Sequence, residues 1–449
     1  MFPLRLSPFE ESFLHDDESG CSLDIVLRME LRGVVDRPAF EKAFLTALDR
    51  HPLMKAQVRR TWTGRYHWVL DDRHPPELVW LDSESQATTF PPTGRVYAAE
   101  GVPTRISMGI QSDRTTLVFH CHHTRTDGAG LFQFLGDLFV DYARNIDPTC
   151  TADLPPLEPS QLAVRHKFGL NPWRLFRRLP KLAVGLRGIR QFASRCPAVL
   201  TPPREGLLES NENAATSTRV IDIDAIATAG LRAAAKNQNA SLNDLLARDL
   251  FLTIQSWRQQ RGFDKANDWV RLMVPINMRR AEDAVMPAAN VVSTVYLDRQ
   301  PHACTDPESL LRSIHDEMQL IKENELGLIF VLSLAAAGIV PGGIRQLTKG
   351  QESIATAVFS NLMRPLESWR LPRRDNRIAA GNLIVESLDV YAPLRRNMLL
   401  ACVVLTYADQ LRWCLRFDHE RLTDEEIESF TKQLRDRVLA TADQTRAIG

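Results

Sequence analysis

Apolar and polar positions along the first half of the chain alternate with short periods that predict a mixed fold. Ile25-Val26-Leu27 predicts a strand, the spacing from Ala39 to Leu48 a helix, and Tyr66-His67-Trp68-Val69-Leu70 another strand. Thr115-Thr116-Leu117-Val118-Phe119 has the β-branched and aromatic make-up of a strand, and after it Leu131, Leu135, Leu138 and Tyr142 recur at helical spacing. Pro148, Pro155, Pro156, Pro159, Pro197, Pro202 and Pro203 then mark a crossing that is poor in regular structure. Beyond it, Arg219-Val220-Ile221-Asp222-Ile223 predicts a strand followed by two helices. The stretches Leu399 to Leu405 and Leu411 to Phe417 predict a hairpin turned at Ala408-Asp409-Gln410, and Thr423 to Glu426 has the form of a capping box opening the last helix. Helices and strands alternate in two comparable halves, without internal repeat or low-complexity tract, so the expected class is α/β or α+β.

The longest apolar run, Leu326 to Val340, falls short of the roughly 20 residues that a spanning helix needs, and Pro341-Gly342-Gly343 ends it. It is expected to be a buried core helix, with a membrane-dipping or substrate-lining segment as the alternative.

Composition narrows the function classes. At 449 residues, 44% hydrophobic and 24% charged, the chain can bury a large core and is long enough for two domains or more. Lys plus Arg equal Asp plus Glu at 55 each, which leaves no global electrostatic case for nucleic-acid binding. Seven scattered cysteines without a C-x-x-C pair suggest neither a disulfide framework nor a zinc ribbon, and fit a reducing cytoplasm. Glu10, Glu11, Asp16, Asp17 and Glu18 stand where a signal peptide would need a basic end and an apolar run, so export is not expected. Between Ser160 and Arg204 lie ten basic residues and no acidic one, with Arg174, Arg177, Arg178 and Lys181 on one helical face opposite Leu175, Leu179 and Leu186. Pro180 interrupts that pattern. A solvated basic helix is the plain expectation for this segment; an anionic membrane surface, the phosphates of coenzyme A or an acidic carrier protein are the functional ones.

The chemistry concentrates in His122-His123-Thr124-Arg125-Thr126-Asp127-Gly128, where the predicted strand ends and the helix begins. An imidazole there can be a general base, because its ordinary pKa near 6.5 leaves it neutral at physiological pH and still able to accept a proton. Asp127 can orient it or stabilise the turn, and Gly128 leaves room for close backbone approach. A metal site is the alternative use of His120-Cys121-His122-His123 with Asp127. The H-x-H-x-D-H pattern of metallo-β-lactamases would need Asp at position 124 and His at 125, where Thr124 and Arg125 stand, so no metal is expected.

This stretch resembles the H-H-x-x-x-D-G signature of the chloramphenicol acetyltransferase-like superfamily, which includes peptide-synthetase condensation domains, wax ester synthases and alcohol acyltransferases. Leu6-Ser7-Pro8, Leu31-Arg32-Gly33 and Arg50-His51-Pro52-Leu53-Met54 are similar to elements of its first half. Ser241-Leu242-Asn243-Asp244-Leu245-Leu246, Val274-Pro275-Ile276-Asn277-Met278-Arg279 and Phe359-Ser360-Asn361-Leu362 are similar to elements of its second. The likeness covers nearly the whole chain. The D-F-G-W-G sequence of plant-type members is absent, as are an adenylation domain and a carrier-protein G-G-x-S site, which points to a free-standing enzyme of the condensation-like, alcohol or wax-ester branches.

The resemblance implies an α/β fold of two-layer α+β sandwich lobes that form a V-shaped pseudo-dimer with a central tunnel. Residues 1–160 would form the lobe carrying the motif, 161–210 a basic crossover and 211–449 the second lobe. It implies an acyltransferase that moves an acyl group from a pantetheine thioester, coenzyme A or acyl carrier protein, to a hydroxyl or amine acceptor that is a small molecule or lipid. His123 would be the general base, with no acyl-enzyme, no permanently bound cofactor and no nucleophilic role for Cys121. Asp127 would point away from the reacting centre toward an arginine, with Arg279 the candidate, and His122 would be a neighbour packed or hydrogen-bonded at the strand end. Ser360 and Asn361 would serve the oxyanion or the tunnel, or form a turn that satisfies its own backbone. The expected location is cytoplasmic, with peripheral membrane contact through 161–204 as an option. A condensation-type domain acting on carrier-bound substrates, and a non-catalytic member that binds an acyl carrier, lipid or partner, are the alternatives.

Overall fold

The computed structural model describes residues 1–17, 23–81, 96–170, 173, 185, 188–202, 216–340, 342–348, 353–395 and 397–443. In chain order the first half runs β1 (Leu4–Arg5), α1 (Pro8–Asp17), β2 (Asp24–Arg32), α2 (Arg37–Arg50), β3 (Ala56–Arg60), β4 (Tyr66–Leu70), β5 (Glu77–Leu81), β6 (Thr104–Gln111), β7 (Arg114–His122) and α3 (Gly128–Ile146). The second half runs β8 (Thr216–Ile223), α4 (Ala225–Asn237), α5 (Leu242–Gln260), β9 (Val270–Asn277), β10 (Val292–Arg299), α6 (Pro307–Glu323), α7 (Gly327–Ala337), α8 (Gly343–Thr348) and β11 (Ala357–Asn361). It closes with β12 (Arg373–Arg374), β13 (Arg377–Ala380), β14 (Leu383–Tyr391), β15 (Leu400–Tyr407), β16 (Gln410–Asp418) and α9 (Asp424–Asp443).

Two large sheets organise these elements. The first has strand order β12-β13-β14-β2-β7-β6-β5 and the second β10-β9-β11-β15-β16-β8, while β1, β4 and β3 form a small third sheet. Helices α2 and α3 share one core with the first sheet, and α4, α5, α6 and α9 share another with the second. Each lobe is therefore a two-layer sandwich with its own core, as the period-2 and period-3.6 patterns require.

The sheets cut across the division at 160 and 210 expected from the sequence. Strand β14, far along the second half, pairs antiparallel with β2, matching Leu388 to Met29 and Val390 to Leu27, and brings β12 and β13 with it. This return is why Leu31-Arg32-Gly33 has the form it does. Gly33 sits at φ +116 with the Asn382 carbonyl 2.3 Å from where a Cβ would stand, so only glycine admits the approach.

Local signals match local structure closely. Ser7, Pro8 and Glu10 open α1 with reciprocal capping bonds, Ser7 N–H to Glu10 Oε2 at 2.8 Å and Glu10 N–H to Ser7 Oγ at 3.1 Å. Thr423 and Glu426 do the same for α9. The β15–β16 hairpin turns on Ala408 and Asp409, both at positive φ, as a two-residue turn of this hand requires.

Two expectations change. Leu326 to Val340 is not a buried core helix: α7 buries Leu328, Val331 and Leu334, while Ile339 and Val340 beyond its end are 82% and 62% exposed. Its buried side packs against α1, where Phe9 and Phe13 meet Phe330 and Leu334. In the basic segment, Arg165 forms a buried two-point ion pair with Glu10 at 2.6 Å, and Arg195 bonds Asp298 at 3.3 Å and stacks on Trp269. Those two charges serve the fold. The face of Arg174, Arg177, Arg178 and Lys181 with Leu175, Leu179 and Leu186, and Pro180, lie outside the described residues.

Candidate active site

Strand β7 runs into the centre of the first sheet, with His122 paired opposite Asp24 at its last register position. The chain then turns through residues 123–127 and starts α3, whose apolar stripe of Leu131, Phe134, Leu135, Leu138 and Tyr142 anchors it on the sheet. Each such buried side chain contributes roughly 1.5–3 kcal/mol relative to exposure, so the turn is held between two immobile elements.

Within the turn, His123 Nδ1–H donates to the Thr126 carbonyl at 3.0 Å, which leaves Nε2 as the ring's acceptor. Its backbone N–H bonds the Leu23 carbonyl at 2.8 Å, and the Phe13 ring lies over the imidazole with centroids 4.5 Å apart. Burial lowers the His123 pKa below its ordinary 6.5, against a weaker upward pull from its backbone hydrogen bonds and Asp127. The ring is therefore neutral at pH 7 with a lone pair available.

His122 is arranged differently. It is fully buried, its Nδ1 accepts the Thr124 N–H at 3.2 Å and meets the Thr124 hydroxyl at 2.8 Å, and its Nε2 faces Asp17 Oδ2 at 3.4 Å. Its Nδ1 is engaged by Thr124, while its Nε2 is buried beside Asp17 without a hydrogen-bond partner among the described residues. Cys121 beside it is buried and its thiol is pushed up to about 12 by desolvation, which leaves no thiolate for nucleophilic attack.

Asp127 caps α3 by accepting the Gly130 N–H at 2.9 Å on Oδ1, while Oδ2 accepts Arg279 Nη1 and the Val291 N–H, each at 2.8 Å. Arg279 also donates to the Ala289 carbonyl at 2.8 Å. The structure thus brings Asp127 and Arg279 together across the two lobes and commits Asp127 to holding the turn. Gly128 follows with Leu362 Cδ2 2.7 Å from its missing Cβ, so Leu362 lies directly on the start of α3. Ser360 and Asn361 before it are not a turn but the end of strand β11, paired with Val403 and Val404 of β15. Asn361 Oδ1 accepts the Met363 N–H at 2.8 Å, and Ser360 is half-buried.

Several contributing residues carried no role in the sequence. Asn290 donates from Nδ2 to the His123 and Thr124 carbonyls, each at 2.7 Å. His51, buried, donates from Nε2 to Asp137 at 3.1 Å and accepts the Ala288 N–H on Nδ1 at 2.9 Å, joining α2, α3 and the second lobe. Arg125 is fully buried over Trp68 and donates to the Ala56 carbonyl at 2.9 Å; burial pulls its pKa down to about 9. Phe13 lies more than a hundred positions from the histidine it covers. Of these, His51 and Arg125 stood in stretches singled out by resemblance, and nothing in the local sequence around Asn290 marks it.

A cavity of about 610 Å³ opens at the far end of α3, lined in part by Asp147, Cys150, Asp153, Arg370 and Arg374. It is about 28 Å along the helix from the histidine turn by the 1.5 Å rise per residue, so its size does not make it part of this site.

No protein-family model matches the sequence. The chain is similar to the phthiocerol/phthiodiolone dimycocerosyl transferases of Mycobacterium tuberculosis (strain H37Rv) and Mycobacterium bovis (strain BCG Pasteur 1173P2), at 24% identity over 254 residues that cover 53% of this chain and 56% of each relative. It therefore spans about half the length of the curated relatives it matches. Among solved structures, polyketide synthase associated protein 5 from Mycobacterium tuberculosis superposes with a TM-score of 0.62 at 17% identity, covering 98% of both chains. A mutant starter condensation domain of rhizomide synthetase superposes with a TM-score of 0.71 at 13% identity, covering 98% of this chain and 94% of that one. The first condensation domain of the calcium-dependent antibiotic synthetase reaches 0.71 at 11% identity, with 98% and 97% covered.

The fold is the two-lobe fold of these condensation-domain structures. Within it, the histidine turn stands where the first lobe faces the second, as the bonds from Arg279, Asn290 and Val291 show. Among the described residues no helix is long and apolar enough to cross a membrane, and no group of three or more His, Cys, Asp or Glu could hold a metal ion.

Proposed function

We propose that the protein is an acyltransferase that moves an acyl group from a pantetheine thioester to a hydroxyl or amine acceptor, with His123 as general base. The observation that carries this reading is the His123 tautomer: Nδ1–H is held by the Thr126 carbonyl, leaving a neutral Nε2 to take a proton. The similarity to enzymes named for dimycocerosyl transfer, and to a condensation domain determined in complex with C8-CoA and Leu-SNAC, supports the thioester class of donor.

In the proposed step, Nε2 accepts the proton of the acceptor O–H or N–H while that oxygen or nitrogen bonds to the thioester carbonyl carbon. The carbonyl electrons move to oxygen, giving a tetrahedral oxyanion. Collapse breaks the C–S bond, and the thiolate leaves with the proton carried by His123. No acyl-enzyme forms. The Ser360 hydroxyl is a donor type suited to the oxyanion, and both substrates would meet in a tunnel between the lobes, where orientation supplies further acceleration. Coenzyme A and a carrier protein present the same pantetheine arm, so either serves as donor, and an acyl thioester is a co-substrate, not a resident cofactor.

The test is thiol release from acyl-coenzyme A donors of several chain lengths with pooled alcohols and amines, run on the wild type and on His123→Ala. Release that depends on the acceptor and is lost in the variant is the expected result. Undiminished release by His123→Ala would remove His123 from the mechanism. Absence of release with both coenzyme A and carrier-bound donors would turn the reading to a non-catalytic binding role.

A further inference from the structure

Beside Arg279 and Leu362, the second lobe reaches the histidine turn through the stretch Ala288-Ala289-Asn290-Val291, just before β10. Each of its residues holds part of the first lobe or of Arg279. Ala288 N–H bonds His51, the Ala289 carbonyl accepts Arg279, and the Val291 N–H bonds Asp127. Asn290 alone acts by its side chain, and it acts on the backbone of the catalytic turn itself.

We infer that Asn290 is a positioning residue for the His123 base, gripping two consecutive carbonyls of the turn with its two amide N–H groups. Sheet pairing of β7 stops at His122, so the His123 and Thr124 carbonyls follow the end of the ladder. Buried carbonyls left in that state are free to rotate toward any donor, and the peptide planes that carry them set where the His123 ring points. Asn290 is 3% exposed and fixes both planes at 2.7 Å. With them fixed, the Thr126 carbonyl is left to receive His123 Nδ1–H.

A second observation separates this role from ordinary packing. Asn290 Oδ1 is buried with no hydrogen-bond partner among the described residues. Stranding an acceptor costs about 1–3 kcal/mol, a loss that a side chain selected for stability alone would avoid. The amide is therefore held in place for its N–H pair.

This inference rests on the acyl-transfer reading for its kinetic arm and stands apart from it in its spectroscopic one. The variants are Asn290→Ser, which keeps one donor, and Asn290→Ala, which keeps none, each checked for an intact fold by thermal melting. With the full-length enzyme, kcat should fall about a hundredfold in Asn290→Ala, the scale of an ångström-sized misplacement, and less in Asn290→Ser, with the donor KM nearly unchanged. In parallel, 13C-labelled histidine would be titrated by NMR, with His123 assigned by its absence in His123→Ala. The His123 midpoint should move up toward 6.5 in the order Ala beyond Ser, because a loosened turn admits water to the ring. The charged and titratable groups around it, Asp127 and His122 on its own turn, Asp17 from α1 behind His122 and Arg279 behind Asp127, are unaltered in both variants.

An unchanged titration in folded Asn290→Ala would overturn the inference, as would loss of thermal stability with kcat and titration both intact, since that marks a structural role. If the wild type transfers no acyl group, the acyl-transfer reading fails, and the titration still decides the role of Asn290.

Discussion

The molecule builds the same local motif twice and uses it differently. In the first lobe the hairpin β6–β7 runs through a short turn into α3; in the second the hairpin β15–β16 runs through a short turn into α9. Both helices have N-terminal capping side chains, Asp127 in one case and Thr423 in the other. Both turns carry a histidine, His123 and His419. The second turn satisfies itself: Glu420 N–H bonds Asp418 Oδ1 at 3.0 Å, Leu422 N–H bonds the Asp418 carbonyl, and Thr423 and Glu426 cap each other. Its histidine side chain is 43% exposed. The first turn instead has Thr124, Arg125 and Thr126 fully buried and draws its partners from the opposite lobe. A strand-turn-helix corner becomes a candidate site when a second body buries it and fixes its polar groups.

The largest effect that would sharpen this contrast is on activity. His123→Ala should lower acyl transfer by about 10²- to 10⁴-fold, the range for loss of a positioned general base, whereas His419→Ala should leave it unchanged. Thiol-release rates on both variants decide it; equal effects would erase the distinction between the two turns.

Next comes stability. Asp127→Ala removes a cap and leaves the half-buried Arg279 without its carboxylate, so a loss of about 3 kcal/mol is expected. The counterpart Thr423→Ala removes a cap alone, and about 1 kcal/mol is expected. Denaturant unfolding of the two variants measures the difference, which is the part contributed by the facing lobe.

A smaller and more specific effect concerns Gly128. Alanine there forces its Cβ against Leu362 Cδ2, with a cost of about 1–3 kcal/mol, although alanine is the better helix former. Adding Leu362→Ala should recover part of the Gly128→Ala penalty in a double-mutant cycle. Strict additivity would show that Leu362, just beyond β11, does not press on the motif.

The smallest expected signal is in pH dependence. Burial lowers the pKa of His51, His122 and His123 below the ordinary 6.5. Each therefore binds its proton more readily in the unfolded chain, so stability rises with pH through this region and is lost as pH falls below about 6.5. The acid limb of the activity profile should likewise have its midpoint below 6.5, where His123 becomes protonated. A midpoint above 6.5 would contradict the burial seen at the first turn.

How far the sequence could be read follows from which interactions are local. Strand periodicity at residues 115–119, the helical spacing from Leu131 to Tyr142, the capping box at Thr423 and the hairpin turn at Ala408-Asp409 rest on neighbours a few positions apart, and each appears in the structure. The histidine turn was legible for the same reason, since a strand end, an N-cap aspartate and a glycine follow one another directly. The return of β14 into the first sheet, more than three hundred positions from β2, left no local trace, because strands carry the same period whichever sheet they join.

By itself the sequence determined the elements, their order and the side chains able to move a proton. Only the tertiary structure decided which histidine is fully buried and which keeps its Nδ1–H on the Thr126 carbonyl, that Asp127 is spent on Arg279 and the helix cap, that α7 is a one-sided helix over α1, and that Asn290 grips the histidine turn. The physical reason is common to all four. A side chain's tautomer, burial and hydrogen-bond partners are set by groups that arrive from the other lobe, and those groups share no periodicity with the residues they control.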